Sequence, residues 1–224
     1  MQIAENLVSS GITTGDKFNS KITAFVKEKE FTKVIETGTY HGTGTTRAIL
    51  DGLSGEFNFI TIEVNPENWK EANKNIGHIG GVHLINGLSV GRPDLPVSIS
   101  ADFPEFIVID HQPKNRWGLY SKEVSYKVSD HQLDRALATF DYKPEFVLLD
   151  SAGHMGFIEF KYLMERVKAP FYLALDDTDH VKHYHTIEYI RARPERFNII
   201  WQVRSKYVDE HYGEKFGSAI IHVS

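Results

Sequence analysis

The 224-residue chain contains no cysteine, and this absence excludes several kinds of protein. Disulfide-stapled scaffolds, zinc sites with thiolate ligands and cysteine nucleophiles all need a side chain that the sequence lacks. No apolar run approaches the roughly 20 residues that a membrane-spanning helix needs. The first residues show no basic stretch followed by an apolar one, so we expect no signal peptide. We therefore expect a soluble cytoplasmic protein with no membrane partner.

An excess of basic residues is also missing. Lys and Arg number 25 against 30 Asp and Glu, which gives a formal net charge of -5. Proteins that bind nucleic acids usually carry basic surfaces that neutralise phosphates, so we expect no nucleic-acid partner. Hydrophobic residues make up 41% of the chain, which is enough for a sizeable core and excludes global disorder. The length fits a single α/β domain over residues 1–224.

Short apolar runs alternate with segments of helical periodicity, which is typical of βαβ units and a mainly parallel sheet. We predict seven strands, at residues 33–36, 58–63, 81–86, 145–150, 171–177, 198–203 and 218–223. The loop between the last two is too short for a crossover helix, so these strands should form an antiparallel hairpin. Residues from about 91 to 128 form an inserted segment, too long for an ordinary loop, that covers the site or contacts a partner subunit. A homodimer is therefore a further expectation.

A glycine-rich turn after the first strand indicates a cofactor site. Ligands bind at the carboxyl ends of parallel strands, where Gly38 and Gly42 remove side chains that would obstruct a close approach. Glu63 ends the second strand and is placed to accept hydrogen bonds from two ribose hydroxyls. The glycine-rich turn and Glu63 are compatible with either NAD or S-adenosylmethionine. The glycines match no register of the dinucleotide motif G-x-G-x-x-G, which disfavours NAD. Glu36 would also repel a pyrophosphate and attract the cationic methionine end of S-adenosylmethionine.

Three acidic residues follow two neighbouring strands of the predicted sheet. Asp150 ends one strand, Asp176 and Asp177 end the next, and one helix lies between them. In a right-handed βαβ unit their carboxylates would converge, and they would repel one another unless a proton or a cation neutralised them. A hard divalent cation, Mg²⁺ above all, is the simplest solution. Choosing Asp110 as the residue after the fourth strand would leave one strand too many.

These residues resemble those of a known family. Glu36-Thr37-Gly38-Thr39-Tyr40-His41-Gly42 is similar to the E-x-G-x-x-x-G motif of class I S-adenosylmethionine-dependent methyltransferases. Residues 60–66, together with residues 14–17 before the first helix, resemble the catechol O-methyltransferase-like group. The resemblance covers most of the chain except the region from about 91 to 129. It implies a Rossmann-like sheet of seven mostly parallel strands with a C-terminal antiparallel hairpin and an inserted segment.

The resemblance also implies an activity and a set of site residues. The expected reaction is methyl transfer from S-adenosylmethionine to a hydroxyl of a small molecule, assisted by a divalent cation. The residues expected to bind the cofactor are Glu36, Gly38, Tyr40, Gly42, Glu63 and Ser89, with Ser89 on the adenine side. Asp150, Asp176 and Asp177 are the implied metal ligands, although the catechol enzymes have Asn at the last of these positions. Those enzymes carry a Lys where this chain has Gly153, so His154 is our candidate base from its chemistry and location alone.

Several alternatives stay open at this stage. A metal-independent methyltransferase would leave His154 to act alone, and a chelator separates that case from a metal-assisted one. A nucleotide-dependent oxidoreductase and a binding protein without turnover are further candidates. His180 and His183 could share a helix face in a zinc site, but a solvated polar face is the more ordinary interpretation. The inserted segment carries side chains that could form a lid, an acceptor wall or an interface anchor, namely Arg116, Trp117 and Tyr120.

Overall fold

A computed structural model describes residues 17–95, 113–153, 155–168, 170–204 and 217–224. The strands are β1 (Lys33–Thr37), β2 (Asn58–Glu63), β3 (Val82–Asn86), β4 (Phe146–Leu149), β5 (Phe171–Asp176), β6 (Phe197–Val203) and β7 (Ser218–Val223). The helices are α1 (Lys17–Lys29), α2 (Thr45–Gly52), α3 (Pro66–Ile76), α4 (Pro113–Ser125), α5 (Gln132–Thr139), α6 (Met155–Arg166) and α7 (Tyr184–Arg191). A single 3-10 turn at Arg92–Asp94 follows β3. Within the described ranges, no helix combines the length and apolarity needed to cross a membrane.

The strands form one seven-stranded sheet in the order β3-β2-β1-β4-β5-β7-β6. Strands β1 to β5 are parallel to one another, and β7 is antiparallel to both β5 and β6. The predicted mostly parallel sheet with a closing hairpin is therefore confirmed. Strand order reverses between β1 and β4, so the carboxyl ends of these strands border the crevice where such sheets bind ligands.

The hydrophobic core lies on both faces of the sheet because successive side chains of a strand point to opposite sides. On one face, Val34, Phe59 and Phe146 pack with apolar residues of α1 and α2. On the other face, Ile35 and Val147 pack in a cluster that also contains apolar side chains of α5, α6 and α7. Because helices cover both faces of the sheet, the sequence of each strand is a nearly continuous apolar run. The polar residues that remain are concentrated at the strand ends.

The structure also corrects one expectation, about the segment after β5. Helix α7 begins at Tyr184, and residues 178–183 form turns and a bend. His180 and His183 therefore do not share a helix face, so the geometric basis of the zinc alternative was wrong. In the inserted segment, α4 is a helix for which sequence analysis made no prediction. Residues 14–16, the region around Asp110, and His154 lie outside the described residues, as does the side chain of Arg116.

Candidate functional site at the carboxyl edge of the sheet

Four acidic residues lie at the carboxyl ends of adjacent strands. Glu36 lies one residue before the end of β1, Glu63 ends β2, Asp150 follows β4, and Asp176 ends β5. Because β4 pairs with both β1 and β5, Asp150 is the residue after the fourth strand of the sheet, as predicted. These residues, the turn after β1 and the turn after β5 define the candidate site.

The turn after β1 is packed tightly against the end of β4. Gly38 has φ of +88°, and a Cβ atom built on it would lie 2.3 Å from the backbone oxygen of Asp150. Tyr40 and Gly42 also have positive φ, at 52° and 72°. The Tyr40 side chain is 43% exposed and stacks on His41 with a centroid distance of 3.8 Å. Sequence analysis explained Gly38 by the approach of a ligand, and the structure adds the contact with Asp150 as a second reason.

Glu36 is fully buried and surrounded by threonine hydroxyls. Thr46 and Thr61 each donate a hydrogen bond of 2.7 Å to its Oε2 atom, and the Thr45 hydroxyl oxygen lies 3.2 Å from Oε1. Burial is the dominant effect and raises the pKa of Glu36 to about 8. The carboxyl group therefore ties the start of α2 to β2, and its side chain has no exposed surface.

Glu63 is held in a fixed orientation by the backbone. Its Oε2 atom accepts a hydrogen bond of 2.7 Å from the amide of Tyr40, and Oε1 accepts one of 2.8 Å from the amide of Asn65. The residue is 5% exposed, and burial raises its pKa to about 7. The side chain of Asn68 also donates a hydrogen bond to this carboxylate. Each carboxylate oxygen has two acceptor positions, so one of the four positions is left for another donor.

Asp150, Asp176 and Asp177 converge as predicted. Each offers a carboxylate oxygen, and these three oxygens lie within 4.8 Å of one another. Asp177 has φ of +59° and its carboxylate is close to that of Asp150, although it follows a different strand. Asp176 accepts a hydrogen bond of 2.9 Å from the amide of Asp177 and one of 3.0 Å from the Ser218 hydroxyl, both on Oδ1.

Sequence analysis did not foresee that a lysine lies in this acidic cluster. The ammonium nitrogen of Lys182 is 2.6 Å from Asp150 Oδ1 and 2.8 Å from Asp177 Oδ2, and its side chain is 5% exposed. Burial alone lowers the pKa of Lys182, but the three carboxylates outweigh burial and raise the pKa above its ordinary value. Burial also raises the pKa of Asp150 and, more strongly, that of Asp176.

The turn that carries Lys182 is fixed by buried contacts. His183 is fully buried, its Nε2 atom lies 3.0 Å from the carbonyl oxygen of Leu149, and its Nδ1 atom lies 3.2 Å from Thr186 Oγ1. Burial lowers the pKa of His183 to about 3, so the ring is neutral and must donate from Nε2 to that carbonyl. A Cβ on Gly156 would lie 2.5 Å from the carbonyl oxygen of Lys182, so α6 begins in close contact with the same turn.

A second buried carboxyl group supports the site from α6. Glu159 accepts hydrogen bonds of 2.9 Å from Thr37 and 2.7 Å from Ser151, and it is also hydrogen-bonded by Ser89. Ser89 is itself buried, and in this structure its hydroxyl therefore points to Glu159. Burial raises the pKa of Glu159. The carboxyl group links β1, the residue after Asp150 and the segment after β3.

Helix α4 of the inserted segment lies against the same edge. Burial raises the pKa of its Glu123 to about 8, and nearby charges on Glu63, Lys182 and Glu159 also act on it. Tyr120 is buried in the core, with its ring centroid 4.9 Å from that of Trp117. Tyr120 is therefore part of the core, and Glu123 is the acidic residue of α4 that sequence analysis missed.

The comparisons with known proteins agree with this fold. No family model matches the chain, and no curated protein matches it. Among solved structures, an O-methyltransferase from Bacillus cereus in complex with SAH has a TM-score of 0.54 at 14% identity, over 92% of this chain and 80% of that one. The O-methyltransferase TomG from Streptomyces achromogenes, involved in tomaymycin synthesis and in complex with SAM, has a TM-score of 0.54 at 9% identity, over 92% and 79%. The SAH-bound Podospora anserina methyltransferase PaMTH1 has a TM-score of 0.52 at 12% identity, over 92% and 77%.

These likenesses confirm the predicted fold. The chain has the Rossmann-like fold of class I S-adenosylmethionine-dependent methyltransferases. At such low identity, fold alone does not assign a reaction, so the activity has to be argued from the residues at the carboxyl edge of the sheet.

Proposed function

We propose that the chain transfers a methyl group from S-adenosylmethionine to a hydroxyl oxygen of a small molecule. The observation that carries this proposal is the fixed Glu63 carboxylate beside the turn after β1, at the switch point of a methyltransferase-type sheet. Neighbours with this fold were solved with SAM or SAH bound. The cofactor would supply a methyl group on a positively charged sulfur, and the acidic edge of the sheet suits that charge.

The residues proposed to bind the cofactor have side chains and backbone groups suited to its ribose, methionine and adenine parts. Glu63 has one acceptor position left beside its bonds to Tyr40, Asn65 and Asn68, which suits a hydroxyl of a ribose. We assign Gly38, Tyr40 and Gly42 to the border of the methionine part, where the half-exposed Tyr40 ring is available for contact. Glu36 acts at that border indirectly, because its buried carboxyl group anchors the turn through the threonines of α2. Ser89 stays our candidate for the adenine side through its backbone, since its hydroxyl bonds Glu159.

The acceptor hydroxyl must lose a proton before or during transfer. His154 follows Asp150 by four residues in the sequence, and we keep it as the proposed base. A phenol or another small hydroxyl compound is the proposed acceptor class. We also propose that the chain forms a homodimer through the inserted segment, which light scattering of the purified protein tests, and that it acts in the cytoplasm.

The predicted divalent cation has to be tested against the residues that would hold it. Asp150, Asp176 and Asp177 supply hard oxygen ligands within 4.8 Å of one another, which is the chemistry that Mg²⁺ prefers. However, the ammonium of Lys182 already bonds Asp150 and Asp177. A divalent cation on those same two oxygens would lie directly beside a positive charge. The described residues therefore do not fit a divalent cation while Lys182 holds this position, and we derive no step through Mg²⁺.

Binding of S-adenosylhomocysteine, measured by calorimetry, tests the proposed function. We expect Glu63→Gln to weaken binding by about 10- to 100-fold, because a hydrogen bond to a charged group contributes roughly 1.5–3 kcal/mol. Glu67→Gln is the matched control, since Glu67 lies four residues further along and its side chain is 78% exposed. Unchanged binding after Glu63→Gln would contradict the assigned role. Turnover is then tested by following S-adenosylhomocysteine formation with a panel of phenols and alcohols.

A further inference from the structure

The cation of the carboxylate cluster is part of the polypeptide. Lys182 bonds one oxygen each of Asp150 and Asp177, at 2.6 Å and 2.8 Å. The second oxygen of Asp150 accepts a hydrogen bond of 3.1 Å from Thr45. Asp176 uses Oδ1 for the Asp177 amide and the Ser218 hydroxyl. Every one of the three carboxylates is therefore engaged by groups of the chain itself.

The position of Lys182 is enforced by the core rather than by the cluster alone. The neighbouring His183 is fully buried and donates to the carbonyl of Leu149, the residue just before Asp150. Gly156 leaves room for the Lys182 backbone at the start of α6, where any Cβ would collide with it. These contacts connect the turn to β4 and α6, so the lysine reaches the cluster as a consequence of folding.

We infer that the ammonium group of Lys182 takes the place of a divalent cation at this carboxylate cluster. Three clustered carboxylates need a neutralising charge, and a lysine with three N–H donors supplies one while satisfying oxygens of two different strand ends. Mg²⁺ demands near-octahedral coordination at about 2.0–2.1 Å, and the oxygens facing Lys182 are committed to the ammonium instead. The cluster is thus assembled without a metal.

The effect of Lys182 on catalysis rests on the proposed function. If the chain methylates a hydroxyl, no Lewis acid at the cluster lowers the pKa of that hydroxyl. The reaction would then proceed at the same rate after complete removal of divalent cations. Metal binding itself does not depend on the proposed function, so it is the better measurement.

The test is Mn²⁺ binding, followed by electron paramagnetic resonance, to the full chain and four variants. We expect the wild-type protein to bind Mn²⁺ no more tightly than Asp150→Asn, because the cluster already holds its cation. Lys182→Met should bind Mn²⁺ at least tenfold more tightly than wild type, and Lys182→Met combined with Asp150→Asn should lose that gain. Lys143→Met is the matched control, since Lys143 is an exposed lysine, and it should behave as wild type.

Either of two results would overturn the inference. One is wild-type Mn²⁺ binding at least tenfold tighter than that of Asp150→Asn, and the other is a folded Lys182→Met variant that gains no binding. If Lys182→Met fails to fold, the comparison of wild type with Asp150→Asn still decides, with circular dichroism confirming that both are folded. Once an acceptor is found, methyl transfer by the wild-type protein in excess chelator should stay within twofold of the rate with Mg²⁺. A chain that shows no turnover fails the proposed function without affecting the binding result.

Discussion

Replacing Gly38 by alanine should disrupt the contact between the turn after β1 and the end of β4. Gly38 has φ of +88°, and its Cβ would lie 2.3 Å from the Asp150 backbone oxygen and 2.9 Å from the Ser151 backbone nitrogen. Both neighbours are backbone atoms of a segment held by β4, so they cannot move aside as the end of a flexible side chain can. The substitution therefore combines a strained backbone with a steric clash.

The two contributions can be estimated separately. A residue with a Cβ in the left-handed region costs about 1–2 kcal/mol, and forcing extra volume into a packed site costs about 1–3 kcal/mol. Gly38→Ala should therefore lower the free energy of unfolding by about 2–5 kcal/mol. Gly55→Ala isolates the first contribution, because Gly55 has φ of +69° and a Cβ there would meet nothing within 4 Å; we expect about 1–2 kcal/mol.

Urea unfolding of the wild type and three variants measures these values. Gly80→Ala completes the series, since Gly80 has neither a positive φ nor any atom within 4 Å of a new Cβ. It should be neutral or stabilise the fold by up to about 1 kcal/mol. Equal costs for Gly38→Ala and Gly55→Ala would refute the packing of the turn against Asp150.

Three further predictions concern buried charges and their partners. Lys182→Met should lower the free energy of unfolding by about 3–5 kcal/mol, because it leaves buried carboxylates without their cation; urea unfolding against Lys143→Met measures this. Burial raises the pKa of Glu36 from 4.5 to about 8, so its stabilising contribution is complete below about pH 4.5 and is lost as the pH rises through 8. The wild type should lose up to about 1.4 kcal/mol per pH unit in that range from this group, and a Glu36→Gln variant with the same slope would contradict the assignment. His183→Phe should cost about 1–3 kcal/mol by removing the buried hydrogen bond from the imidazole to the Leu149 carbonyl, and an unchanged unfolding midpoint would show that this hydrogen bond does not hold the turn.

The sequence predicts the sheet well because its signals are local. Each strand is an apolar run of four to seven residues between polar segments, and the acids at the ends of β2, β4 and β5 mark the carboxyl edge. The short last connection predicts the β6–β7 hairpin for the same reason, since too few residues separate the strands for a crossover. Convergence of Asp150 with Asp176 follows from chain order alone, because one helix between two strands makes them parallel neighbours.

The residues that complete the site are not predictable in this way. Lys182 lies in a polar stretch whose spacing resembles the start of a helix, and its position depends on a hydrogen bond between His183 and Leu149, which lie 34 residues apart. Glu159 falls on the buried face of α6 among apolar residues, where a carboxyl group has no local explanation. Glu123 belongs to an inserted helix whose apolar stripe, formed by Trp117, Tyr120 and Val124, has helical spacing and packs on the core. The sequence therefore contains a signal for the helix, but nothing local indicates that Glu123 is buried.

Asp150 could be predicted from the sequence and Lys182 could not, and Lys182 changes the chemistry expected of the cluster. The three acids at β4 and β5 resemble those of metal-dependent methyltransferases, and a sequence motif alone assigns them a metal. A sequence motif identifies residues that could bind an ion, but it does not show which cation lies beside them in the folded chain. Here the turn after β5 delivers an ammonium group, and it does so through contacts of His183 and Gly156 that serve the core. We therefore expect metal binding at this cluster to depend on the segment after β5, and Lys182 is the residue at which that expectation can be tested.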